Sequence, residues 1–129
     1  MLKIRIFSFS YLYSGLPEDT SGNGGGFVFD CRFIYNPGRK PEFGNLTGND
    51  LPVRDFLDNQ EEMQIFLNNI YKIIDTAVEN YISRNFSDLM VSFGCTGGQH
   101  RSVYSANKLN EHINQKYPGT ETELIHYNL

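Results

Sequence analysis

The sequence contains no tryptophan, two cysteines (Cys31 and Cys95) and fewer basic than acidic side chains. Two cysteines cannot build a disulfide framework, and free thiols are the ordinary state in a cytoplasmic protein. Eleven Lys and Arg residues against fifteen Asp and Glu residues give a formal net charge of -4. This balance excludes a general attraction to nucleic acid or to an anionic membrane, so any anion site is expected to be local.

Long hydrophobic runs are missing as well. No segment approaches the roughly 20 apolar residues of a transmembrane helix. Residues 1–6 alternate apolar and charged types, whereas a signal peptide needs a longer apolar stretch. We therefore expect a cytoplasmic protein with no membrane partner. The three histidines lack metal-ligand spacing, and neither a metal nor a cofactor is expected.

The chain has 129 residues, of which 40% are hydrophobic, and this is enough for one core and a single domain over residues 1–129. Apolar steps of three and four predict a helix over 61–82 and another from about residue 102 to Pro118. The predicted strands are 3–9, 27–33, 89–93 and 121–127. Residues 10–26, with their glycine run, are expected to form a mobile loop, and 36–52 a second loop. The expected fold class is α/β, a three-layer α/β/α domain with a sheet of about four mostly parallel strands.

The residues most suggestive of chemistry lie between the third strand and the last helix. A buried strand, a glycine-bearing loop and a helix start together make backbone N–H groups converge on an anion. The predicted phosphate-binding residues of the loop 94–102 are Cys95, Thr96, Gly97, Gly98, Gln99, His100, Arg101 and Ser102. Arg101 can hold two phosphate oxygens with its planar fork. An ordinary strand-to-helix turn explains the same spacing.

The loop also matches a second pattern, because Cys95 and Arg101 are separated by five residues and Ser102 follows. This is similar to the signature loop of cysteine-dependent phosphatases, in which a thiolate lies beneath the bound phosphate. That family usually has His where this chain has Gly94, and it needs a mobile Asp as general acid, for which Asp50 and Asp30 are the candidates. A small buried residue at a strand end is the other interpretation of Cys95.

Residues 94–103, from Gly94 through Cys-Thr-Gly-Gly-Gln-His-Arg-Ser to Val103, resemble the hallmark segment of the C-terminal domain of the RapZ family of RNase adaptor proteins. The likeness continues through 8–11, 29–37, 46–50 and 53–66 in the same order. It implies a non-catalytic, regulatory bacterial domain that senses the amino-sugar phosphate glucosamine-6-phosphate and engages small regulatory RNAs or a partner protein. The family's nucleotide-binding Walker motif lies in a separate N-terminal domain, and this sequence does not contain it.

The sequence departs from the family in two places. RNA-binding members end in clustered Arg and Lys, whereas residues 120–129 include two Glu and neither Arg nor Lys. RNA binding depends on neutralising several phosphates at once, so this ending argues against RNA as a partner. The glycine stretch 22–26 is the second departure.

Four residues outside the loop are expected to form a pocket wall, because ligands collect at the carboxyl ends of parallel strands. They are Asp30, Arg32, Asn36 and Thr47. For Asp30 and Arg32 a structural ion pair is the alternative. Thr47, with Asn49 and Asp50, could bind sugar hydroxyls or could form an ordinary polar turn.

Overall fold

A computed structural model describes residues 1–129, the entire chain. Four strands and three α-helices follow in the order β1 (Lys3–Ser10), β2 (Phe27–Asp30), α1 (Leu51–Asp58), α2 (Glu61–Ser83), β3 (Asp88–Cys95), α3 (Arg101–Lys116) and β4 (Glu121–His126). The strands form one sheet in the order β2-β3-β1-β4, and every neighbouring pair is parallel. None of the helices is both long enough and apolar enough to cross a membrane.

One face of the sheet carries the main apolar core. Alternate side chains of β1 and β3 pack there against the apolar stripes of α2 and α3. The stripe residues are Ile70, Ile74 and Val78 of α2 and Ala106, Leu109 and Ile113 of α3. These are positions at helical spacing, and the bounds of α2 differ from the expected 61–82 by one residue.

The segment 11–26 covers the opposite face of the sheet. The ring of Tyr11 lies edge-on to Phe9, with centroids 4.8 Å apart, and Asp19 binds the partly buried Arg5. The parallel sheet is therefore the middle of the three-layer α/β domain that the sequence predicts. The expected mobile loop is instead fastened to the sheet through Arg5 and Asp19.

Two predicted elements differ from the structure. The strand over 27–33 was expected to be covered on both faces, but β2 ends at Asp30, lies at the sheet edge and alternates half-buried and exposed residues. The loop predicted over 36–52 ends in a helix, α1, which has a proline in its first turn and buries Val53 and Leu57. Proline is tolerated there because the first N–H groups of a helix have no partner within it.

Candidate anion-binding site

The candidate site is the turn that leaves β3 and enters α3. The N–H groups of residues 96–103 donate to no group of the protein, and the first amide to be satisfied is that of Tyr104, which donates to the His100 carbonyl. His100 is the N-cap residue, and its side chain does not cap the helix. A run of free N–H groups at the positive end of a helix dipole is suited to an anion.

Arg101 adds a buried cation to these amides. Its side chain is 4% exposed, and its Nη1 donates to the carbonyl oxygens of Arg32 at 2.9 Å and Ile34 at 2.8 Å. Its buried Nε has no hydrogen-bond partner. The guanidinium is thus fixed through one nitrogen, while its Nε–H is left without an acceptor in the protein.

The shape of the loop depends on its two glycines. Gly98 has φ of +70°, and a Cβ there would lie 2.8 Å from Asn128 Oδ1 and 2.9 Å from the Ser10 nitrogen. A Cβ on Gly97 would meet nothing within 4 Å. Ser10 Oγ also donates to the Thr96 carbonyl at 2.6 Å. The end of β1 therefore holds the loop in place, with Gly97 on its open side.

Cys95 lies beneath the loop. It is 2% exposed, and its Sγ donates to Ser102 Oγ at 3.1 Å. Cys31, the other free cysteine, belongs to the same apolar cluster, and burial raises the pKa of its thiol above the ordinary value. Both thiols pack as parts of the core.

Two further loop residues, Gln99 and His100, contact the chain between Phe43 and Gly48. His100 Nε2 lies 3.0 Å from the Phe43 carbonyl oxygen, so a protonated Nε2 donates to that oxygen. Gln99 is exposed, and its carbonyl accepts the Gly48 N–H at 2.7 Å. The turn around Gly48 is thereby attached to the loop.

Asp30 and Arg32 pair with each other at the end of β2. Arg32 Nη2 donates to Asp30 Oδ2 at 2.8 Å, and the Arg32 guanidinium lies 3.8 Å from the centroid of the Tyr11 ring. The hydrogen bond from Arg32 lowers the pKa of the Asp30 carboxyl below its ordinary value. Since Asp30 is in register with Gly94, this ion pair lies at the same sheet edge as the loop.

Asn36, Thr47 and Asp50 stabilise their own turns. Asn36 Oδ1 accepts the Gly38 N–H at 2.9 Å. The Asp50 carboxylate accepts the Thr47 N–H at 2.7 Å, and Thr47 Oγ1 accepts the Asn49 N–H at 3.1 Å. One side-chain oxygen of each residue is therefore engaged locally.

Ser10 and Asn128 are site residues that the sequence analysis did not identify. They are far from the loop in sequence and meet it only because β1 lies between β3 and β4 and the three parallel strands end at the same edge of the sheet. The rule that ligands collect at the carboxyl ends of parallel strands could have identified both residues from the sequence. No residue of 94–102 lines any of the four principal cavities.

Comparison with known proteins identifies the family of this chain. The family model of the RapZ C-terminal domain matches residues 2–129. A nucleotide-binding protein of Clostridium beijerinckii is 39% identical over 122 residues, which cover 95% of this chain and 40% of that protein. A nucleotide-binding protein of Endomicrobium trichonymphae is 43% identical over 108 residues, or 84% of this chain and 36% of that protein. The chain spans about two fifths of the length of these curated relatives. On the match over 2–129, the chain belongs to the RapZ C-terminal domain family.

Proposed function

We propose that this domain is a non-catalytic sensor or adaptor that binds a phosphorylated metabolite, an amino-sugar phosphate such as glucosamine-6-phosphate, through the loop 94–102. One observation carries the proposal: the amides of 96–103 have no acceptor in the protein, and Arg101 in the same segment has a buried Nε without a partner. Membership of the RapZ C-terminal domain family supports the regulatory or adaptor role.

The unpaired donors explain why the ligand should carry a phosphate. A buried donor without a partner costs roughly 1–3 kcal/mol. A phosphate dianion offers several acceptor oxygens to the amides and to the Arg101 Nε at once. Gly97, where a Cβ would meet nothing within 4 Å, leaves the backbone open to this close approach.

The neighbouring Asp30 favours an amino sugar over a neutral sugar. Its carboxylate is half-exposed at the sheet edge next to Gly94, and Arg32 keeps it ionised. An ammonium group can approach such a carboxylate, whereas a hydroxyl gains less from it.

A titration followed by calorimetry or ligand-observed NMR tests the proposal. The ligands are glucosamine-6-phosphate, glucosamine and inorganic phosphate, and the proteins are wild type, Arg101→Ala and Arg39→Ala. We expect the sugar phosphate to bind wild type and Arg39→Ala alike, and to bind Arg101→Ala at least roughly tenfold more weakly, since one charge-assisted bond contributes about 1.5–3 kcal/mol. Equal affinity for glucosamine and its phosphate would contradict the proposal.

A cysteine-dependent phosphatase is the second candidate, because the Ser102 hydroxyl lies 3.1 Å from the Cys95 sulfur in a Cys-x5-Arg-Ser segment. Neither candidate for the general acid of a phosphatase is suited to that role. The pKa of Asp30 is lowered, whereas an acid must hold its proton, and Asp50 accepts a hydrogen bond within its own turn. Hydrolysis of a chromogenic phosphomonoester by wild type, abolished in Cys95→Ser, would favour the phosphatase over the sensor.

A further inference from the structure

At the end of the sheet opposite the anion loop, the edge strand β2 begins later than its neighbour β3 and leaves part of β3 uncovered. β3 pairs with β1 from Asp88 onward, but β2 joins β3 only at Val91. The backbone edge of residues 88–90 on the β2 side therefore has no strand beside it. A cavity of about 590 Å³ lies beside this uncovered part of β3, within the size range of small-molecule sites.

Aromatic and uncharged polar side chains line the cavity. Tyr81 and Phe86 lie edge to face with ring centroids 5.0 Å apart, and Phe27 lines the cavity with them. The side chains of Asn23 and Asn85 line it too and form no hydrogen bond within the protein. The cavity thus combines faces for stacking with amides that can both donate and accept.

The glycine-rich rim of the cavity is held in a defined conformation. The Asp19 carboxylate accepts the N–H groups of Gly24 at 2.9 Å and Gly25 at 3.2 Å, and it pairs with Arg5 at 2.7 Å. Both glycines have positive φ. At Gly26, a Cβ would collide with the Met90 carbonyl oxygen, so glycine is required for the rim to reach β3.

The charges around the cavity restrict the class of ligand. Asp88 is the only ionisable carboxylate among the lining residues, and both of its oxygens accept hydrogen bonds from Arg5. Among the lining residues no uncompensated charge is left, and the Arg84 guanidinium outside the lining lies 4.4 Å from the centroid of the Phe86 ring. The lining therefore favours a flat, uncharged group with donors and acceptors along its edge.

We propose that this cavity binds a planar heteroaromatic ring of the purine type. The ring stacks on Phe86 with Tyr81 beside it, and its polar edge bonds with Asn23, Asn85 and the free backbone groups of Asp88. This second site lies at the amino ends of the strands, remote from Arg101 at the carboxyl ends. It is independent of the anion site.

The test is a titration of the protein with adenosine and guanosine, followed by saturation-transfer NMR and chemical shifts. We expect wild type to bind at least one nucleoside, and both Phe86→Ala and Asn23→Ala to bind it more weakly. The loss in Phe86→Ala should be roughly tenfold, the effect of removing one stacking partner. Phe33→Ala removes an exposed aromatic outside the cavity and should change nothing.

Asn23 is an exposed loop residue, so its variant keeps the test valid if Phe86→Ala fails to fold. The proposal is overturned if neither nucleoside binds wild type. It is also overturned if folded Phe86→Ala and Asn23→Ala bind with wild-type affinity.

Discussion

Arg101 Nη1 donates to the carbonyl oxygen of Ile34 across 2.8 Å, which joins the first turn of α3 to the chain leaving β2. Ile34 is 1% exposed and belongs to a second apolar cluster that also contains residues of α1 and α2. The side chain that presents Nε to the proposed anion therefore also holds this second cluster. Ligand affinity and stability are coupled at Arg101.

The first prediction concerns this coupling. Arg101→Ala should lower the free energy of unfolding by roughly 3 kcal/mol, because the buried Ile34 carbonyl and the partly buried Arg32 carbonyl lose a charged donor. Arg101→Lys keeps the charge but cannot reproduce the fork, so we expect an intermediate loss. Urea denaturation measures both. Arg39→Ala, at an exposed position, is the control and should stay within about 0.5 kcal/mol of wild type. Equal stability of Arg101→Ala and Arg39→Ala would show that the bonds from Arg101 to the Arg32 and Ile34 carbonyls do not stabilise the fold.

The second prediction compares two adjacent glycines. Gly98→Ala should destabilise the fold by about 1–3 kcal/mol and weaken phosphate binding, since its φ is +70° and its Cβ would crowd Ser10 and Asn128. The methyl group added by Gly97→Ala would point into open space, so this variant should keep wild-type stability. Thermal unfolding and phosphate titration check the pair. If both variants behave alike, the loop is not held by Ser10 as described.

Local periodicity was sufficient to predict the long helix and the position of the loop. The apolar steps from Met63 to Val78 fit α2, and the apolar run before Gly94 fits a buried strand that delivers the chain to a turn. In both cases the signal lies within a few residues of the element. Such patterns are the most dependable in a sequence.

Relationships over long sequence distances were not predictable. The bonds from Arg101 to the Arg32 and Ile34 carbonyls span more than 60 residues and depend on β2 lying beside β3. The same unknown strand order made β2 look like a covered strand, although it is an edge. The sequence analysis did not predict α1, because it assigned Pro52 to a loop. The first turn of a helix accepts proline as well.

A third prediction addresses the glycine-rich segment. Asp19→Ala should lower Tm by several degrees, because Arg5 loses a partner and the Gly24 and Gly25 amides lose their acceptor. The pKa of Asp19 lies well below its ordinary value, chiefly through hydrogen bonds from Ser21, so its stabilising effect is present above about pH 3.8 and is lost as the pH falls below it. Calorimetry at pH 7 measures the change. Asp55→Ala, an exposed helical carboxylate, is the control; an equal Tm for the two variants would refute the anchoring role.

The last prediction concerns His126, which lies between two polar partners. Its Nδ1 is 2.6 Å from Ser8 Oγ, and its Nε2 is 2.9 Å from Asn107 Oδ1. A neutral ring with the proton on Nε2 donates to Asn107 and accepts from the Ser8 hydroxyl, whereas a charged ring cannot accept from Ser8. Burial lowers the pKa of His126 below its ordinary value of 6.5.

The unfolded chain therefore binds a proton more readily than the folded one. The stabilising effect of neutral His126 is complete above about pH 6.5, and it is lost as the pH falls from there through the folded pKa. NMR titration of the imidazole, assigned with His126→Gln, should give a midpoint below that of an unstructured peptide with the same flanking residues. Urea denaturation should show a smaller loss of stability toward acid in His126→Gln than in wild type. A midpoint at or above the peptide value would mean that the ring is charged in the fold and that its Nδ1–H donates to Ser8 Oγ.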